Sequence, residues 1–265
     1  MNKTKIDWCD YSWNPITGCL HECDYCYARK IAKRFDGKAD KRPYLQLKDQ
    51  PEIFDLYEPL LDFRGHKMPY PFAFSPTLHR YRLDEPQGIK EPQTIFVCSM
   101  ADLFGEWVPE EWIIEVFKSC SAAYHHRYLF LTKNPERYVQ LGKERKLMAG
   151  DGFWYGTTVT KTDEEYFYVD ERAGIKTFVS IEPIMEPFAP PLPMNAMPNW
   201  VIVGAETGNR KGKVKPEKSW LDGLIERCEE TQTPIFMKES LRELMGEDFR
   251  QEFPWDNDKL QEADP

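Results

Sequence analysis

The segment GCLHECDYCYA, residues 18–28, places three cysteines within one short stretch. Cys19, Cys23 and Cys26 are separated by three and then two residues, and Tyr25 stands directly before the last of them. A chain of 265 residues can bury a large core without disulfide bonds, so crowding of this kind favours metal ligation. A strand is predicted before the segment and a helix after it, so the three cysteines are expected in a loop between a strand and a helix.

Two kinds of metal site fit the spacing of the cysteines. A structural zinc ion normally takes four Cys or His ligands, and Cys9 would have to supply the fourth, because no second CxxC pair or HxxxH follows downstream. His21 is two residues from each neighbouring cysteine and would have to fold back sharply to join them. A 4Fe–4S cluster takes thiolates on its irons, and three cysteines leave one iron open for another ligand. The spacing favours the cluster, and zinc is the alternative.

Apolar runs recur along the chain, and most are followed by a helical pattern. The runs are continuous, which is typical of parallel strands buried on both faces, and strand–helix alternation indicates βαβ units. About eight strands are predicted, near 5–13, 71–77, 94–100, 127–133, 153–159, 177–183, 200–206 and 234–240. Helices are predicted over 27–35, after Pro109, after Pro135, near 163–172 and near 217–230. The pattern predicts an α/β protein built as a (β/α) barrel, complete or partly open.

A single barrel domain over residues 1–250 is the simplest organisation of the chain. No repeat of fixed period and no low-complexity linker divides it. Residues 36–70, with their Pro, Gly and charged side chains, are expected to form an insertion after the first helix. The last residues, 251–265, are rich in acidic side chains and are expected to form a loosely ordered tail.

Charge and hydropathy restrict the classes of partner. The formal net charge of −9 disfavours wholesale coating of nucleic acid, although residues 28–42 and 209–218 are locally basic. No apolar run approaches the roughly 18–20 residues of a membrane span. The first residues carry two lysines without an apolar stretch behind them, unlike a secretory signal. We therefore expect a cytoplasmic protein without a membrane partner.

Polar side chains follow most of the predicted strands, where the active site of a (β/α) barrel lies. Ser99 and Asp102 follow the run 94–100, and the later runs end near Glu182, Glu206 and Lys238. A carboxylate at the mouth of an apolar barrel is costly unless it is paired or used. The candidate partners for these carboxylates are Lys133, Arg137, Lys238 and a bound ligand.

The cysteine spacing, between a first strand and a helix, resembles that of the radical S-adenosylmethionine (SAM) superfamily. Cys19, Cys23 and Cys26 match the three cluster ligands of that superfamily one for one. From about residue 5 to 240 the chain also resembles a phage-associated and bacterial family of largely uncharacterised radical-SAM-like proteins, and more distantly the spore photoproduct lyases, which repair DNA. The segments that carry this resemblance are DWCDYSWNPITGC, VCSMADLF, FLTKNPERY, VSIEPI and WVIVGAETG. That family often has a longer cysteine spacing, and the tighter one here strengthens the enzymatic interpretation.

The resemblance implies a 4Fe–4S cluster and SAM as cofactors, and a flavodoxin- or ferredoxin-like reductant. The cluster would cleave SAM reductively to a 5′-deoxyadenosyl radical that abstracts hydrogen from a substrate. The Gly-Gly-Glu-like turn by which many members bind the SAM amino group has no obvious copy here. The residues expected to contact the cofactor instead are Ser99, Asp102, Glu182, Glu206 and Lys238, the last at a position where the family also carries a lysine.

A nucleotide or nucleic acid is a candidate substrate class, and the alternative is that the basic loops are solvated and the tryptophans are packed in the core. Basic side chains follow the cluster segment and the strand that ends at Glu206, and such groups bind phosphates. They are Arg29, Lys30, Lys33 and Arg34, and then Arg210, Lys211, Lys213 and Lys215. Aromatic side chains that could stack on bases are Tyr11, Trp13, Tyr27 and Trp107. The alternative function is a non-catalytic zinc- or cluster-binding protein that interacts with nucleic acid.

Overall fold

The computed structural model describes residues 1–41, 52–169, 174–188 and 197–256. The chain forms two compact units, Met1–Met148 and Ala149–Pro265. Each unit combines α-helices with strands that are mostly parallel. Among the described residues, no helix has both the length and the apolar character needed to cross a membrane.

The first unit contains two sheets and three α-helices in its described part. Its strands are β1 (Asn2–Lys3), β2 (Tyr11–Trp13), β3 (Ile16–Thr17), β4 (Phe54–Leu56), β5 (Thr77–His79), β6 (Thr94–Val97) and β7 (Arg127–Thr132). Its α-helices are α1 (Tyr27–Arg34), α2 (Glu110–Ala122) and α3 (Pro135–Lys143). Short 3-10 helices cover Arg80–Arg82 and Glu85–Gly88.

The main strands of the first unit run in the same direction. β2, β6 and β7 are parallel neighbours, with Ser12 opposite Phe96 and Phe96 opposite Leu129, while β1 pairs antiparallel with β2. β3, β5 and β4 form a separate sheet in that order. The chain leaves β6 and β7 at the same edge of the main sheet, so the segments that follow these strands lie near each other.

Phe104, which is fully buried, packs the segment after β6 against three neighbouring elements. Its ring centroid is 4.5 Å from that of Tyr138 in α3 and 5.9 Å from that of Phe130 in β7. Phe117 in α2 lies 6.2 Å away. Edge-to-face packing of this kind adds to the burial energy and fixes ring positions. The residues on either side of Phe104 are therefore held in place by the aromatic core.

The second unit has four parallel strands in its described part. They are β8 (Phe153–Val159), β9 (Lys176–Ile181), β10 (Trp200–Val203) and β11 (Ile235–Met237), paired in that order. The helices are α4 (Ser219–Glu230) and α5 (Arg242–Met245), with 3-10 helices at Glu239–Leu241 and Gly246–Asp248. Val179, Ile181, Val201 and Val203 pack with Leu221 of α4 in one aliphatic core. All four residues of β10 are buried, as expected for a continuous apolar run.

Six of the predicted strands, from the one near 94–100 to the one near 234–240, are confirmed, and their ends differ from the predicted ends by at most three residues. The first strand is confirmed only over Tyr11–Trp13. The parallel α/β architecture is thus confirmed, whereas closure of the strands into a barrel stays a prediction, as does the single domain over 1–250.

Two of the predicted elements are wrong. Most of the strand predicted over 71–77 is absent, because residues 71–75 form turns. The short strand that follows, β5, belongs to the small sheet, which also includes β4 from the predicted insertion 36–70. Residues 42–51 of that insertion lie outside the described residues. The predicted helix near 163–172 is absent over its described part, 163–169. There the Glu164 carboxylate accepts hydrogen bonds from the backbone N–H and hydroxyl of Thr160, and this local bonding competes with a helix.

The first part of the predicted tail is packed against the second unit. The Trp200 indole donates to the carbonyl oxygen of Glu252 at 2.9 Å, and the ring centroids of Phe253 and Trp255 lie 5.9 and 5.1 Å from that of Trp200. The described part of the predicted tail, residues 251–256, thus contacts Trp200 of β10. The remainder, 257–265, lies outside the described residues.

Candidate functional site

The cysteine loop, residues 18–26, is fastened to the backbone of the first unit where it begins. The Gly18 N–H donates to the Met100 carbonyl at 2.9 Å, and the Cys19 N–H donates to the Phe74 carbonyl at 3.2 Å. Gly18 has φ +88°, and a Cβ there would lie 2.3 Å from the carbonyl oxygen of Ser75. Only glycine fits this close approach, so the residue before Cys19 determines where the loop begins.

The three thiols of the loop are free and half-buried. Cys19 and Cys26 pack against one apolar cluster, which consists of Ala28, Ala32, Phe74 and Met100. The Cys26 sulfur also accepts a hydrogen bond from the Arg29 N–H at 3.3 Å and so caps the N-terminus of α1. The Cys23 sulfur lies 4.0 Å from the His21 carbonyl oxygen. An apolar surface under two of the thiols limits the access of water to them.

Burial raises the pKa of the Cys19 thiol to about 12. A hydrogen bond with the His21 backbone opposes this shift, whereas the charges of Asp102, Cys23 and Cys26 raise the pKa further. The sulfurs therefore act on one another electrostatically. Because metal ligation requires thiolates, a bound cation would have to compensate the desolvation and the mutual repulsion.

A single metal ion and a cluster need different arrangements of donors. A zinc ion needs ligands that converge on one point, but the described residues contain no group of three or more His, Cys, Asp or Glu side chains placed to hold one ion. Each thiolate of a 4Fe–4S cluster binds a different iron, so its sulfurs need not converge. Cys9 is the residue that would supply the fourth zinc ligand, and its sulfur lies 4.0 Å from the Ile6 carbonyl oxygen. Three free thiols on one loop above an apolar surface fit the cluster.

Asp102, only 5% exposed, connects the cysteine loop to the end of β7. Its Oδ1 accepts hydrogen bonds from the Phe104 N–H at 2.9 Å and the Thr132 hydroxyl at 2.8 Å. Its Oδ2 accepts from the Lys133 N–H at 2.9 Å and from His21 Nε2 at 2.7 Å. A carboxylate accepts about four hydrogen bonds. Asp102 is therefore satisfied within the protein and positions His21 in the middle of the loop.

Ser99 also lies beside the cysteine loop, and its bonds are internal. Its hydroxyl donates to Asn14 Oδ1 at 3.2 Å, which also accepts the Met100 N–H at 2.9 Å. The Ser99 carbonyl accepts a hydrogen bond from the Tyr27 hydroxyl at 2.9 Å. Ser99 thus links the segment after β6 to the first residue of α1.

The candidate residues of the second unit form ion pairs. Lys238 Nζ lies 2.5 Å from Glu182 Oε1, and the Ser180 hydroxyl donates to Glu182 Oε2 at 3.1 Å. Arg210 donates to both oxygens of Glu206, at 2.6 and 2.7 Å, and these hydrogen bonds hold the pKa of Glu206 below its usual value. Both carboxylates are therefore paired within the unit. Their contact with SAM stays a prediction.

A cavity of about 510 Å³ lies beside the cysteine loop in the first unit. The side chains around it include His21, Glu106, Trp107, Lys133, Glu136 and Arg137. The His21 and Trp107 rings meet edge to face, with centroids 4.8 Å apart. The same histidine thus contacts both the Asp102 network and the cavity.

The sequence pattern missed the role of His21 and the place of Lys133 and Arg137. The sequence suggests His21 only as a metal ligand, whereas in the structure it bonds to Asp102, 81 positions away. The sequence predicts Lys133 and Arg137 as partners of barrel carboxylates, whereas in the structure they line the cavity with Trp107. The sequence does contain a local signal for the proximity of these two residues. Pro135 starts α3, so residue 133 lies just before the helix and residue 137 lies in its first turn.

The fold and the site together define an α/β protein with mostly parallel strands and a three-thiol loop near its N-terminus. The chain belongs to the family described as "Protein of unknown function (DUF5131)", whose family model matches residues 3–244. That description mentions neither phage nor SAM chemistry. A comparison with curated proteins found no match.

Two solved structures of spore photoproduct lyase are similar to this chain at 11% sequence identity. A singly substituted mutant aligns with a TM-score of 0.48, over 89% of this chain and 78% of that chain. A doubly substituted mutant with bound AdoMet and dinucleoside spore photoproduct aligns with a TM-score of 0.40, over 80% of this chain and 58% of that chain.

Proposed function

We propose that this protein is a radical SAM enzyme in which Cys19, Cys23 and Cys26 hold a 4Fe–4S cluster with one iron open to SAM. The observation that carries the proposal is the cysteine loop: three free, half-buried thiols in the spacing C-x3-C-x2-C, fastened to the backbone above an apolar cluster. Three thiolates on a four-iron cluster leave one iron for an outside ligand.

The residues around the loop would orient the cluster and limit solvent access to it. Bound together, the cluster and SAM supply one-electron chemistry that removes a hydrogen atom from a substrate. Asp102 and His21 hold the middle of the loop, and the Tyr27 hydroxyl holds the start of α1 through Ser99. The apolar cluster beneath Cys19 and Cys26 limits the access of water to their sulfurs, and such shielding would protect redox chemistry from side reactions.

The proposal has further parts that rest on the sequence. We infer a (β/α) barrel architecture, a cytoplasmic protein, a flavodoxin- or ferredoxin-like reductant, and a nucleotide as the substrate class. The net charge of −9 supports a small substrate over a long nucleic acid, because a polyanion is repelled by a protein of the same sign.

Anaerobic reconstitution with iron and sulfide tests the metal centre. Wild type should bind about four irons per chain and absorb broadly in the visible range. Cys23→Ala should lose the cluster, because one iron loses its thiolate. Cys9→Ala is the matched control: the cluster proposal predicts unchanged iron content, whereas a zinc site that uses Cys9 predicts loss of metal. Zinc without iron in the wild type would contradict the proposal.

Release of 5′-deoxyadenosine separates the enzyme from a non-catalytic cluster protein. The reconstituted wild type, given SAM and a strong reductant, should release 5′-deoxyadenosine, and the Cys23→Ala protein should release none. An iron-loaded wild type that releases none would favour the alternative, a cluster-binding protein that interacts with nucleic acid.

A further inference from the structure

The cavity beside the cysteine loop contains two cationic side chains, Arg137 and Lys133. Within the described part of the chain, neither makes a close salt bridge, although the charge of Arg137 helps to lower the pKa of Glu144. Arg137 donates to Gln140 Oε1 at 3.3 Å and to the Val108 carbonyl at 3.5 Å, while its Nε is buried without a hydrogen-bond partner. The Lys133 ammonium lies 5.4 Å from the ring centroid of Tyr25. A buried donor of this kind costs free energy unless a ligand satisfies it.

Trp107 adds an aromatic ring to the lining of the same cavity and a second buried donor, its Nε1, without a hydrogen-bond partner among the described residues. The ring is held closely: a Cβ on Gly105 would lie 2.4–2.8 Å from three of its atoms, and His21 contacts it edge to face. A held indole provides a flat surface for a planar group together with one N–H donor.

The charges around the cavity favour a small anion over a polyanion. Arg137, Lys133 and Trp107 are half-buried, whereas Glu106 and Glu136 are exposed. The half-buried part thus carries positive charge and the exposed part carries negative charge. A long phosphate backbone would pass the exposed carboxylates of Glu106 and Glu136 and be repelled by them. A single phosphate could bind between Arg137 and Lys133 without approaching these carboxylates. The volume of about 510 Å³ is within the range of small-molecule sites.

We propose that this cavity binds a small aromatic organic phosphate of the nucleoside monophosphate class. Arg137 and Lys133 bind the phosphate, and Trp107 stacks on the base or donates its Nε1–H to the ligand. The proposal deepens the proposed function. It rests on that function in one respect, namely that the ligand is the substrate of the radical SAM enzyme. Binding itself requires no cluster in the protein.

Isothermal titration calorimetry on the reconstituted full-length protein tests this site. The probes are thymidine 5′-monophosphate, thymidine and inorganic phosphate. The monophosphate should bind at least about tenfold more tightly than thymidine, because charge-assisted hydrogen bonds are lost with the phosphate. Equal affinity for the nucleoside, or no binding of the monophosphate at millimolar concentration, would overturn the proposal.

Variants assign the binding to these residues. Arg137→Gln should weaken monophosphate binding about tenfold or more, and Arg137→Lys should weaken it less. Arg64→Gln removes the same charge from an exposed position that does not line the cavity and should leave the affinity unchanged. Trp107→Phe retains a ring and tests the loss of the indole N–H, whereas Trp107→Leu removes the stacking surface. Equal effects of Arg137→Gln and Arg64→Gln would contradict the site.

Two further measurements separate this inference from its rivals. The Cys23→Ala protein should still bind the monophosphate, so failure of the cluster and failure of the cavity are observed independently. A short single-stranded oligothymidylate should bind no more tightly than the monophosphate. Tighter binding that depends on Arg137 would replace the small ligand by a nucleic acid and overturn the proposal.

Discussion

At the scale of single residues, the carboxylate of Asp102 connects two parts of the first unit that are distant in sequence. It bonds to His21 inside the cysteine loop and to Thr132 and Lys133 at the end of β7. Each of these donors would be left without an acceptor if the carboxylate were removed. Because Asp102 is nearly inaccessible to water, the loss could not be replaced by solvent.

Asp102→Asn therefore should destabilise the protein although the side chain keeps its shape. An asparagine nitrogen cannot accept a hydrogen bond, so at least one charge-assisted bond is lost, at a cost of about 1.5–3 kcal/mol in the free energy of unfolding. Urea unfolding measures this loss. The exposed Asp84→Asn variant is the control and should change stability by less than about 0.5 kcal/mol.

The same substitution also tests the role of Asp102 toward the loop. If Asp102 positions the loop through His21, Asp102→Asn should reconstitute with less iron than the Asp84→Asn control under identical conditions. A variant that is less stable but takes up iron normally would show that Asp102 supports the fold and not the metal centre.

At the scale of elements, the all-apolar strands could be predicted from sequence and the polar-rich segments could not. Thr94–Val97 is buried throughout, so the apolar run and the strand coincide. In 71–77 the apolar residues Phe72 and Phe74 belong to separate small clusters beside turns, so apolar character did not indicate a strand. The helix predicted near 163–172 failed because Glu164 bonds to Thr160 instead.

The start of the cysteine loop depends on Gly18, and Gly18→Ala should disrupt it. Alanine at φ +88° is strained, and its Cβ would overlap the Ser75 carbonyl oxygen. We expect a loss of about 1–3 kcal/mol in unfolding free energy and a lower iron content after reconstitution.

Gly65→Ala is the matched control for Gly18→Ala. Gly65 also has a positive φ, +80°, but no atom lies within 4 Å of its expected Cβ. This variant therefore includes the backbone strain without the steric overlap and should retain the iron content of the wild type. Equal losses of iron in both variants would show that general destabilisation, and not the geometry of the loop, limits cluster binding.

At the scale of the whole molecule, the sequence indicated the donor set but not the surroundings that make it a site. The spacing of Cys19, Cys23 and Cys26 is local and could be read directly. The Asp102–His21 bond and the cavity with Trp107 arise only when segments more than eighty positions apart are brought together in the fold. No local pattern encodes such contacts, because they depend on the packing of distant segments.

Removal of the cluster should destabilise the first unit, since a ligand that binds only the folded state stabilises it by mass action. The cluster-loaded protein should unfold at a higher urea concentration than the same protein after anaerobic chelation of its iron, and Cys23→Ala should unfold like the chelated protein. Hydrogen exchange should locate the effect: the amides of Gly18 and Cys19, which are bonded to Met100 and Phe74, should exchange more slowly in the loaded protein. Identical exchange at these amides with and without bound iron would mean that the metal lies elsewhere and that the three thiols are not its ligands.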